Sequence, residues 1–434
     1  MAEIRAFRAI RYNLEKIHQL SAVVAPPYDL IGEREQERLR NRHPANVIRL
    51  ILGKGPFKGL HEESAYLRAG DTWREWLSTG VLLQDKRPAI YIYEEEFDDF
   101  GRRKLRRGFV ARVRLEEFGR GDIYPHEHTL SGPKEDRLKL MMATEANLSP
   151  IFSIFPDPDR SVRDTLGRFA RGEPVLSFTD EAGFSHRIFA LEDSSLIESL
   201  RGALSALPFF IADGHHRYET ALAFRQLKRT SQGEVSDSAL DYVMMMCVPT
   251  SDPGLVIYPI HRMVRGLGDF ELARFIRSAK GLFDCTEMRQ SLTGSEELQR
   301  QLARERLRHS FGMLVGVDEK QFLLSLRDEK TLLTIPGLSD TLRRLDVTIL
   351  HQIILRRLLL FDDSNRENID FDHDPKRVLE EVRSGAYRLG FLLNPTPVEV
   401  VAEVARGLER MPPKSTFFYP KVLSGILFNT LRET

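Results

Sequence analysis

The sequence predicts a mixed α/β protein of the α+β class. Over residues 1–265, short apolar runs typical of buried strands alternate with amphipathic stretches typical of helices. From about residue 266, helical patterns dominate. The 434 residues are enough for two or three domains. We therefore predict an α/β region over 1–265 and a helix-rich α+β region over 266–434.

In the first region, apolar runs and turn residues place the elements in order. The predicted strands are 4–10, 47–52, 151–155, 242–248 and 255–260, and the predicted helices are 32–42, 61–77, 138–146, 162–169 and 196–204. Hairpins are predicted over 88–113 and 175–191. In the first hairpin, acidic residues of one arm face basic residues of the other, which predicts charge pairing across an exposed ribbon.

In the second region, helices are interrupted by a few strands. The predicted helices are 269–283, 295–308, 340–360, 376–384 and 397–409. A hairpin-like pair is predicted around 318–320, and a strand over 387–393. No internal repeat and no low-complexity segment is visible in the sequence.

The charges of the chain are balanced, with 63 basic and 63 acidic side chains. Such a composition does not favour a nucleic-acid or membrane surface. Two cysteines, Cys247 and Cys285, form neither a disulfide framework nor a zinc motif. The N-terminus lacks an apolar signal segment, and no window holds 18 uninterrupted apolar residues. We expect a cytoplasmic protein without a nucleic-acid or membrane partner.

The most informative stretch is 207–227, where an apolar strand enters a polar turn and a helical pattern leaves it. At such a junction the backbone N–H groups of the helix start attract anions. The turn combines a carboxylate, a glycine, two imidazoles and a guanidinium: Asp213, Gly214, His215, His216 and Arg217. These groups are suited to binding phosphate and moving a proton. A capped helix start with a solvated basic turn is the alternative, but the combination favours a functional site.

A second candidate is His126-Glu127-His128, which directly follows Pro125. In a strand, His126 and His128 would share one face and could hold a metal ion. In a loop, Glu127 could project into a site as a general base. A polar loop whose imidazoles cap backbone carbonyls is the third interpretation, and the residues alone leave all three open.

A third candidate is Lys414-Ser415-Thr416, which follows two prolines. The two prolines restrict the backbone, and the three side chains that follow can donate hydrogen bonds to a phosphate. The same residues are equally typical of a strand edge, so spacing alone does not distinguish a phosphate site from a strand edge. The sequence has no Gly-x-x-x-x-Gly-Lys-Ser/Thr loop, no Gly-x-Gly-x-x-Gly after a strand and no Gly-x-Ser-x-Gly elbow. Phosphate would therefore bind outside the usual nucleotide loops.

Together, the three motifs resemble those of free L-serine kinases of the ParB/sulfiredoxin-like fold. The shared order is Pro125-His126-Glu127, then Asp213 to Arg217, then Pro413 to Thr416. Over nearly its full length, the chain also resembles a large bacterial family catalogued as a domain of unknown function. Its recurring segments here are 25–29, 132–137, 146–150 and 411–421. The resemblance implies a ParB/sulfiredoxin-like phosphate-binding core with an N-terminal extension and a helix-rich C-terminal region.

The resemblance also implies an activity, the reversible phosphorylation of free L-serine to O-phospho-L-serine. Pyrophosphate, used by some members of that family, is the expected donor, with ADP or ATP as alternatives. Glu127, Asp213 and His216 are the implied catalytic residues; Glu127 would take the serine proton, and Asp213 would hold Mg²⁺ or assist proton transfer. The implied phosphate-binding residues are Gly214, His215, Arg217, Lys414, Ser415 and Thr416.

Two other function classes stay open at this point. One is a non-catalytic ParB-like sensor of phosphate or nucleotide; the balanced charge and the lack of an evident helix-turn-helix argue against a DNA-bound switch. The other is a metal-dependent hydrolase built on His126, His128, His215 and His216. Conversion of ligand, rather than thermal stabilisation by it, would separate an enzyme from a sensor.

Overall fold

A computed structural model describes residues 2–52, 62–232, 238–268, 270–288, 294–316, 318–361 and 366–432. The chain divides into two compact units. The first comprises Met1–Val256 and Pro420–Thr434, and the second comprises Ile257–Tyr419. Both contain helices and sheets, which confirms the mixed α/β class. The C-terminal segment from Pro420 belongs to the first unit. The predicted regions 1–265 and 266–434 placed this segment in the second region.

The first unit is built on strands and helices that alternate along the chain. Its helices are α1 (Glu33–Arg42), α2 (Ile48–Ile51), α3 (Glu62–Ser78), α4 (Ser131–Thr144), α5 (Ser161–Phe169), α6 (Ser194–Leu204) and α7 (His215–Gln232). Its strands up to residue 249 are β1 (Ile4–Arg5), β2 (Ile10–Tyr12), β3 (Leu82–Gln84), β4 (Ile90–Asp99), β5 (Arg102–Arg114), β6 (Ile123–Pro125), β7 (Ala146–Asn147), β8 (Ile151–Phe155), β9 (Leu176–Thr179), β10 (Ser185–Leu191), β11 (Phe209–Asp213) and β12 (Tyr242–Pro249).

Within the described part of the chain, one nine-stranded sheet organises this unit. Its order is β6-β11-β8-β12-β5-β4-β10-β9, with β1 also paired to β5. Strand β11 runs parallel to β6 and antiparallel to β8. Because parallel neighbours end at the same edge of a sheet, the residues that follow β6 and β11 are brought to one edge. Both predicted hairpins and the strands predicted at 151–155 and 242–248 are confirmed.

The predicted strand 47–52 is wrong, because this segment forms the short helix α2. Asn46 explains the difference: its side-chain oxygen accepts a hydrogen bond from the backbone N–H of Ile48 at 2.9 Å. Its amide group also donates to the carbonyl of Ala22 at 2.8 Å. A short apolar run does not by itself distinguish a strand from a buried helical turn. The hydrogen bond between the Asn46 side chain and the backbone N–H of Ile48 stabilises the helical turn.

The charge pairing in the hairpin of β4 and β5 is confirmed, but the ribbon is not exposed throughout. Arg103 and Glu96 form an ion pair at 2.7 Å with side chains 76% and 29% exposed. Arg106 and Glu95 also pair, yet their side chains are 0% and 1% exposed. Glu95 and Arg106 face each other across the hairpin, and β10 flanks Glu95 on its other side. Arg106 packs against the ring of Phe152 and donates to the carbonyl of Pro420, so this part of the hairpin is enclosed.

The second unit is less dominated by helices than predicted. Its helices are α8 (Leu272–Ala279), α9 (Glu296–Arg304), α10 (Asp340–Arg343), α11 (Asp346–Ile349), α12 (Pro375–Arg383) and α13 (Val398–Arg406), with a π-helix at Leu350–Leu358. After a strand at the border of the two units, β13 (Val256–Tyr258), its strands are β14 (His261–Val264), β15 (Phe283–Glu287), β16 (Ser310–Val315), β17 (Lys320–Leu326), β18 (Ile369–Asp372), β19 (Leu389–Leu392) and β20 (Phe417–Tyr419).

Most of these strands form an antiparallel sheet in the order β15-β17-β16-β19-β14-β18. The helix predicted over 269–283 ends before Phe283, which begins β15, and Asp269 lies outside the described residues. The helix predicted over 340–360 is divided into α10, α11 and the π-helix. The chain then rejoins the first unit, where β21 (Asn429–Thr430) pairs antiparallel with β7. Among the described residues, no helix is long and apolar enough to cross a membrane.

Candidate functional site

The junction of β11 and α7 has the predicted strand, turn and helix. The residues from Phe209 to Ala212 are buried, and the helix begins at His215. Between them, Gly214 has a φ of +92°, in the region that favours glycine. A Cβ atom at this position would lie 2.8 Å from Nε of Arg217. Glycine thus allows both the turn and the close packing of the arginine against it.

Asp213 lies between two cations. Its Oδ2 accepts a hydrogen bond from Nη2 of Arg217 at 2.6 Å, and its Oδ1 accepts one from Nζ of Lys421. The side chains of Asp213 and Lys421 are 16% and 13% exposed. Burial by itself would raise the pKa of Asp213, but the charges of Lys421 and Arg217 outweigh it and hold that pKa well below its usual range. Asp213 is therefore ionised at neutral pH.

Lys421 is a residue that the sequence did not single out for this site. It belongs to the recurring segment 411–421, and that membership was the only available signal. The backbone carbonyl of its neighbour Pro420 accepts a hydrogen bond from Nη1 of Arg106 at 2.6 Å. The buried pair of Arg106 and Glu95 thus fixes the chain next to Lys421.

Arg217 joins the turn to a further recurring segment, 146–150. Its Nη1 donates a hydrogen bond to the carbonyl of Pro150, while Nη2 binds Asp213. Nε is buried and has no hydrogen-bond partner among the described residues. The guanidinium is thereby held in one orientation from two sides.

His126, which directly follows β6, packs against His215, the first residue of α7. Their ring centroids are 4.7 Å apart at an angle of 80°. His126 Nδ1 lies 2.8 Å from the carbonyl oxygen of Ile211, which this imidazole therefore caps. The backbone N–H of His126 donates to Nε2 of His215 at 3.3 Å. His126 thus connects the two strand ends rather than facing solvent.

Glu127 and His128 follow β6 in a loop, so the two histidines of this motif do not share a strand face. His126 is buried, Glu127 is partly buried and His128 is exposed. The loop interpretation, which lets Glu127 project at the edge where β6 and β11 end, fits this arrangement. Among the described residues, no group of three His, Cys, Asp or Glu side chains could hold a metal ion. The four-histidine hydrolase site is therefore not formed.

His216 is tied to the loop that follows Glu127. Its Nε2 accepts a hydrogen bond from the backbone N–H of Leu130 at 2.9 Å. Burial lowers the pKa of His216, partly opposed by the charge of Glu219. Glu219 in turn accepts hydrogen bonds at 2.8 Å from Thr129 and Lys134. The first turn of α7 therefore packs tightly against the Glu127 loop.

Lys414, Ser415 and Thr416 belong to the second unit. Lys414 adopts a positive φ of 60°, and its carbonyl accepts a hydrogen bond from Nη2 of Arg262 at 2.9 Å. Ser415 Oγ donates to the carbonyl of Pro412 at 2.6 Å. These contacts fix the backbone of the segment, which is an ordered turn before β20.

The predicted Mg²⁺ ligand, Asp213, can be tested against its partners. Magnesium in proteins is commonly held by one or two carboxylates together with substrate phosphates. Both oxygens of Asp213 already bind a lysine and an arginine. The side chains around Asp213 therefore do not fit a role for this carboxylate as a direct Mg²⁺ ligand, because both of its oxygens are occupied by ion pairs.

The fold and the turn define an α/β protein with a strand–helix junction at which one carboxylate pairs with two cationic side chains. Residues 4–348 match the family described as "Protein of unknown function (DUF1015)". The match spans well over half of the 434 residues, so the chain belongs to that family, and the expected membership of a domain-of-unknown-function family is confirmed. No curated protein matches the chain significantly.

Several solved structures are distantly similar to the chain. A substituted free serine kinase in complex with AMP is 12% identical, with a TM-score of 0.34, and the alignment covers 68% of this chain and 84% of that one. SbnI from Staphylococcus aureus, with a C-terminal truncation, is 10% identical with a TM-score of 0.34, and the coverage is 73% and 85%. A conserved hypothetical protein from Pyrococcus furiosus is 13% identical with a TM-score of 0.32, and the coverage is 69% and 89%. At this distance, only the site itself can support a function.

Proposed function

We propose that this protein is a phosphotransferase that converts free L-serine into O-phospho-L-serine, reversibly, with pyrophosphate as the expected donor and ADP or ATP as alternatives. The observation that supports the proposal is the meeting of two motifs at one sheet edge. Glu127 follows β6, the phosphate-type turn Asp213-Gly214 ends β11, and these two strands are parallel neighbours. A base and a phosphate site at one edge are what transfer to a hydroxyl requires.

In the proposed reaction, Glu127 takes the proton of the serine hydroxyl. The oxygen then forms a bond to the transferring phosphorus, while the bond from phosphorus to the leaving phosphate oxygen breaks. With pyrophosphate, the products are O-phospho-L-serine and inorganic phosphate, and the proton leaves Glu127 for the solvent. The chemistry depends mainly on positioning and on neutralising phosphate charge.

The turn residues supply that neutralisation. The first backbone N–H groups of α7 lack intrahelical partners, and the helix start carries partial positive charge. Arg217, Lys421 and His215 add cationic or donor groups around Asp213. Asp213 orients Arg217 and Lys421 through its two oxygens. From the resemblance alone, Lys414, Ser415 and Thr416 are assigned to the distal phosphate of the donor or to the serine carboxylate.

The direct test is a set of parallel assays with purified protein and Mg²⁺. O-Phospho-L-serine is incubated with phosphate, AMP or ADP, and free serine is measured. Serine is incubated with pyrophosphate, ADP or ATP, and phosphoserine is measured. Product in one tube identifies activity and donor together. Folded protein that forms no product in any tube, yet is stabilised by one of these ligands, would replace the kinase with a sensor.

Glu127→Gln tests the base. The amide keeps the size of the side chain but takes no proton, so we expect turnover to fall by about 10² to 10⁴-fold with an unchanged unfolding temperature. Glu198→Gln is the matched control, because Glu198 lies exposed on α6, where it pairs with Arg201. An unchanged rate in Glu127→Gln would remove Glu127 from the mechanism.

A further inference from the structure

A small cavity in the first unit lies directly beside Arg217. Its volume is about 50 Å³, which holds only a few water molecules. Residues from three recurring segments contribute to the wall: Tyr28, Arg137 and Asn147. Apolar side chains, including Leu140 and Met141, form the rest of it. The cavity thus suits a compact ligand with a polar end.

The first polar wall is formed by Tyr28 and Arg137. The guanidinium carbon of Arg137 lies 4.0 Å from the centroid of the Tyr28 ring. Nη1 of Arg137 donates to the carbonyl of Ile51 at 2.8 Å, and Nε donates to Asp136 at 2.8 Å. These bonds fix the guanidinium plane against the ring. The Tyr28 hydroxyl has no hydrogen-bond partner among the described residues, which leaves it available to a ligand.

The second polar wall is formed by Asn147, whose orientation is set by its neighbours. Its Oδ1 accepts hydrogen bonds from the backbone N–H of Met244 at 3.1 Å and from Nδ2 of Asn429 at 2.9 Å. The oxygen therefore points away from any ligand, and the NH₂ group is the part of the side chain that can donate into the cavity. Asn147 is 4% exposed, so its position is fixed by packing.

The described residues that line the cavity include two arginines and no acidic side chain. Outside the cavity, Arg137 pairs with Asp136 and Arg217 pairs with Asp213. The remaining guanidinium N–H groups, with the amide NH₂ and the phenolic hydroxyl, form a lining of donors that favours a carboxylate or another small anion. Arg217 belongs both to this cavity and to the phosphate-type turn. A molecule bound here by its carboxylate would hold its hydroxyl next to the turn.

We infer that this cavity is the acceptor pocket, and that it takes a compact α-amino or α-hydroxy carboxylic acid with a hydroxyl group, such as serine. The inference rests on the proposed function. It assigns Tyr28, Arg137 and Asn147 to binding of the acceptor carboxylate, a role that neither motif order nor spacing indicated. Leu140 and Met141 limit the size of the acceptor.

Two conservative variants test the pocket. Asn147→Asp keeps the oxygen that binds Met244 and Asn429 but replaces the donor with a negative charge, and Tyr28→Phe removes only the hydroxyl. In the full-length protein we expect KM for L-serine to rise about tenfold or more in Asn147→Asp and several-fold in Tyr28→Phe, with KM for pyrophosphate unchanged. Tyr242→Phe is the matched control, because its hydroxyl binds Glu3 outside the cavity.

The readouts separate this inference from the proposed function. Calorimetric binding of L-serine is measured beside turnover, and unfolding temperatures verify that each variant is folded. If the protein is an active kinase and both variants keep the serine KM of the wild type, the pocket is elsewhere although the function stands. If turnover is absent but serine binds and Asn147→Asp weakens it, the pocket stands and the kinase assignment fails. Absence of both turnover and serine binding overturns both.

Discussion

The buried ion pair of Arg106 and Glu95 gives the sharpest test of how the site is held. Both side chains are at most 1% exposed, and Arg106 also donates to the carbonyl of Pro420, next to Lys421. Its guanidinium carbon lies 4.9 Å from the centroid of the Phe152 ring. Arg106→Met keeps most of the apolar stem but leaves the Glu95 carboxylate buried without this partner. We expect a large loss of stability in the first unit.

The size of the loss follows from the burial. Removing one partner of a buried ion pair costs about 3–5 kcal/mol, because the other charge stays out of water. At about 2–4 °C per kcal/mol for a domain of 150–250 residues, the unfolding temperature should fall by on the order of 10 °C. Arg103→Met is the control on the same strand: its pair with Glu96 is largely exposed, so a change of about 1 kcal/mol or less is expected.

Thermal unfolding followed by circular dichroism and calorimetry measures both variants. Glu95→Leu combined with Arg106→Met adds a further comparison, because the double variant leaves neither charge of the pair behind and should recover part of the loss. An Arg106→Met variant as stable as Arg103→Met would refute the reasoning. Such a result would mean that water or local movement compensates the Glu95 charge despite its burial.

Two further substitutions probe the turn and a buried carboxylate. Gly214→Ala should destabilise the protein by roughly 1–2 kcal/mol and raise KM for the phosphate donor, because Gly214 has a φ of +92° and the new Cβ would meet Arg217. Gly202→Ala is the control: a Cβ at this position on α6 meets open space, so neither stability nor KM should change in this way. Burial raises the pKa of Asp252 from 3.8 to about 6, so its contribution to stability is present below about pH 4 and lost as pH rises through 6. Asp252→Asn should therefore gain at most about 3 kcal/mol above pH 6, measured as unfolding temperature against pH, and curves parallel to the wild type from pH 4 to 8 would contradict this.

Much of the local structure could be predicted from residue patterns, and the failures have physical causes. The strand–turn–helix around Asp213 was predictable because an apolar run, a glycine and a helical stripe are all local signals. The segment 47–52 was not, since a short apolar run fits a strand or a buried helical turn equally well, and the contacts of Asn46 with Ile48 and Ala22 favour the turn. The burial of Glu95 and Arg106 was also not predictable, because it depends on strand β10 and on the segment at Pro420, which are distant in sequence.

The sequence by itself determined the mixed α/β class, the family and the set of candidate site residues, because these depend on composition, periodicity and short motifs. Only the tertiary structure decided which of them meet. The parallel pairing of β6 with β11 brings the loop of Glu127 to the edge of the Asp213 turn. The return of the chain at Pro420 supplies Lys421, and Tyr28, Arg137 and Asn147 line a cavity beside Arg217. These contacts depend on the order of the strands in the sheet and on the C-terminal segment packing back onto the first unit. Both are set by long-range packing, which leaves no local pattern in the sequence.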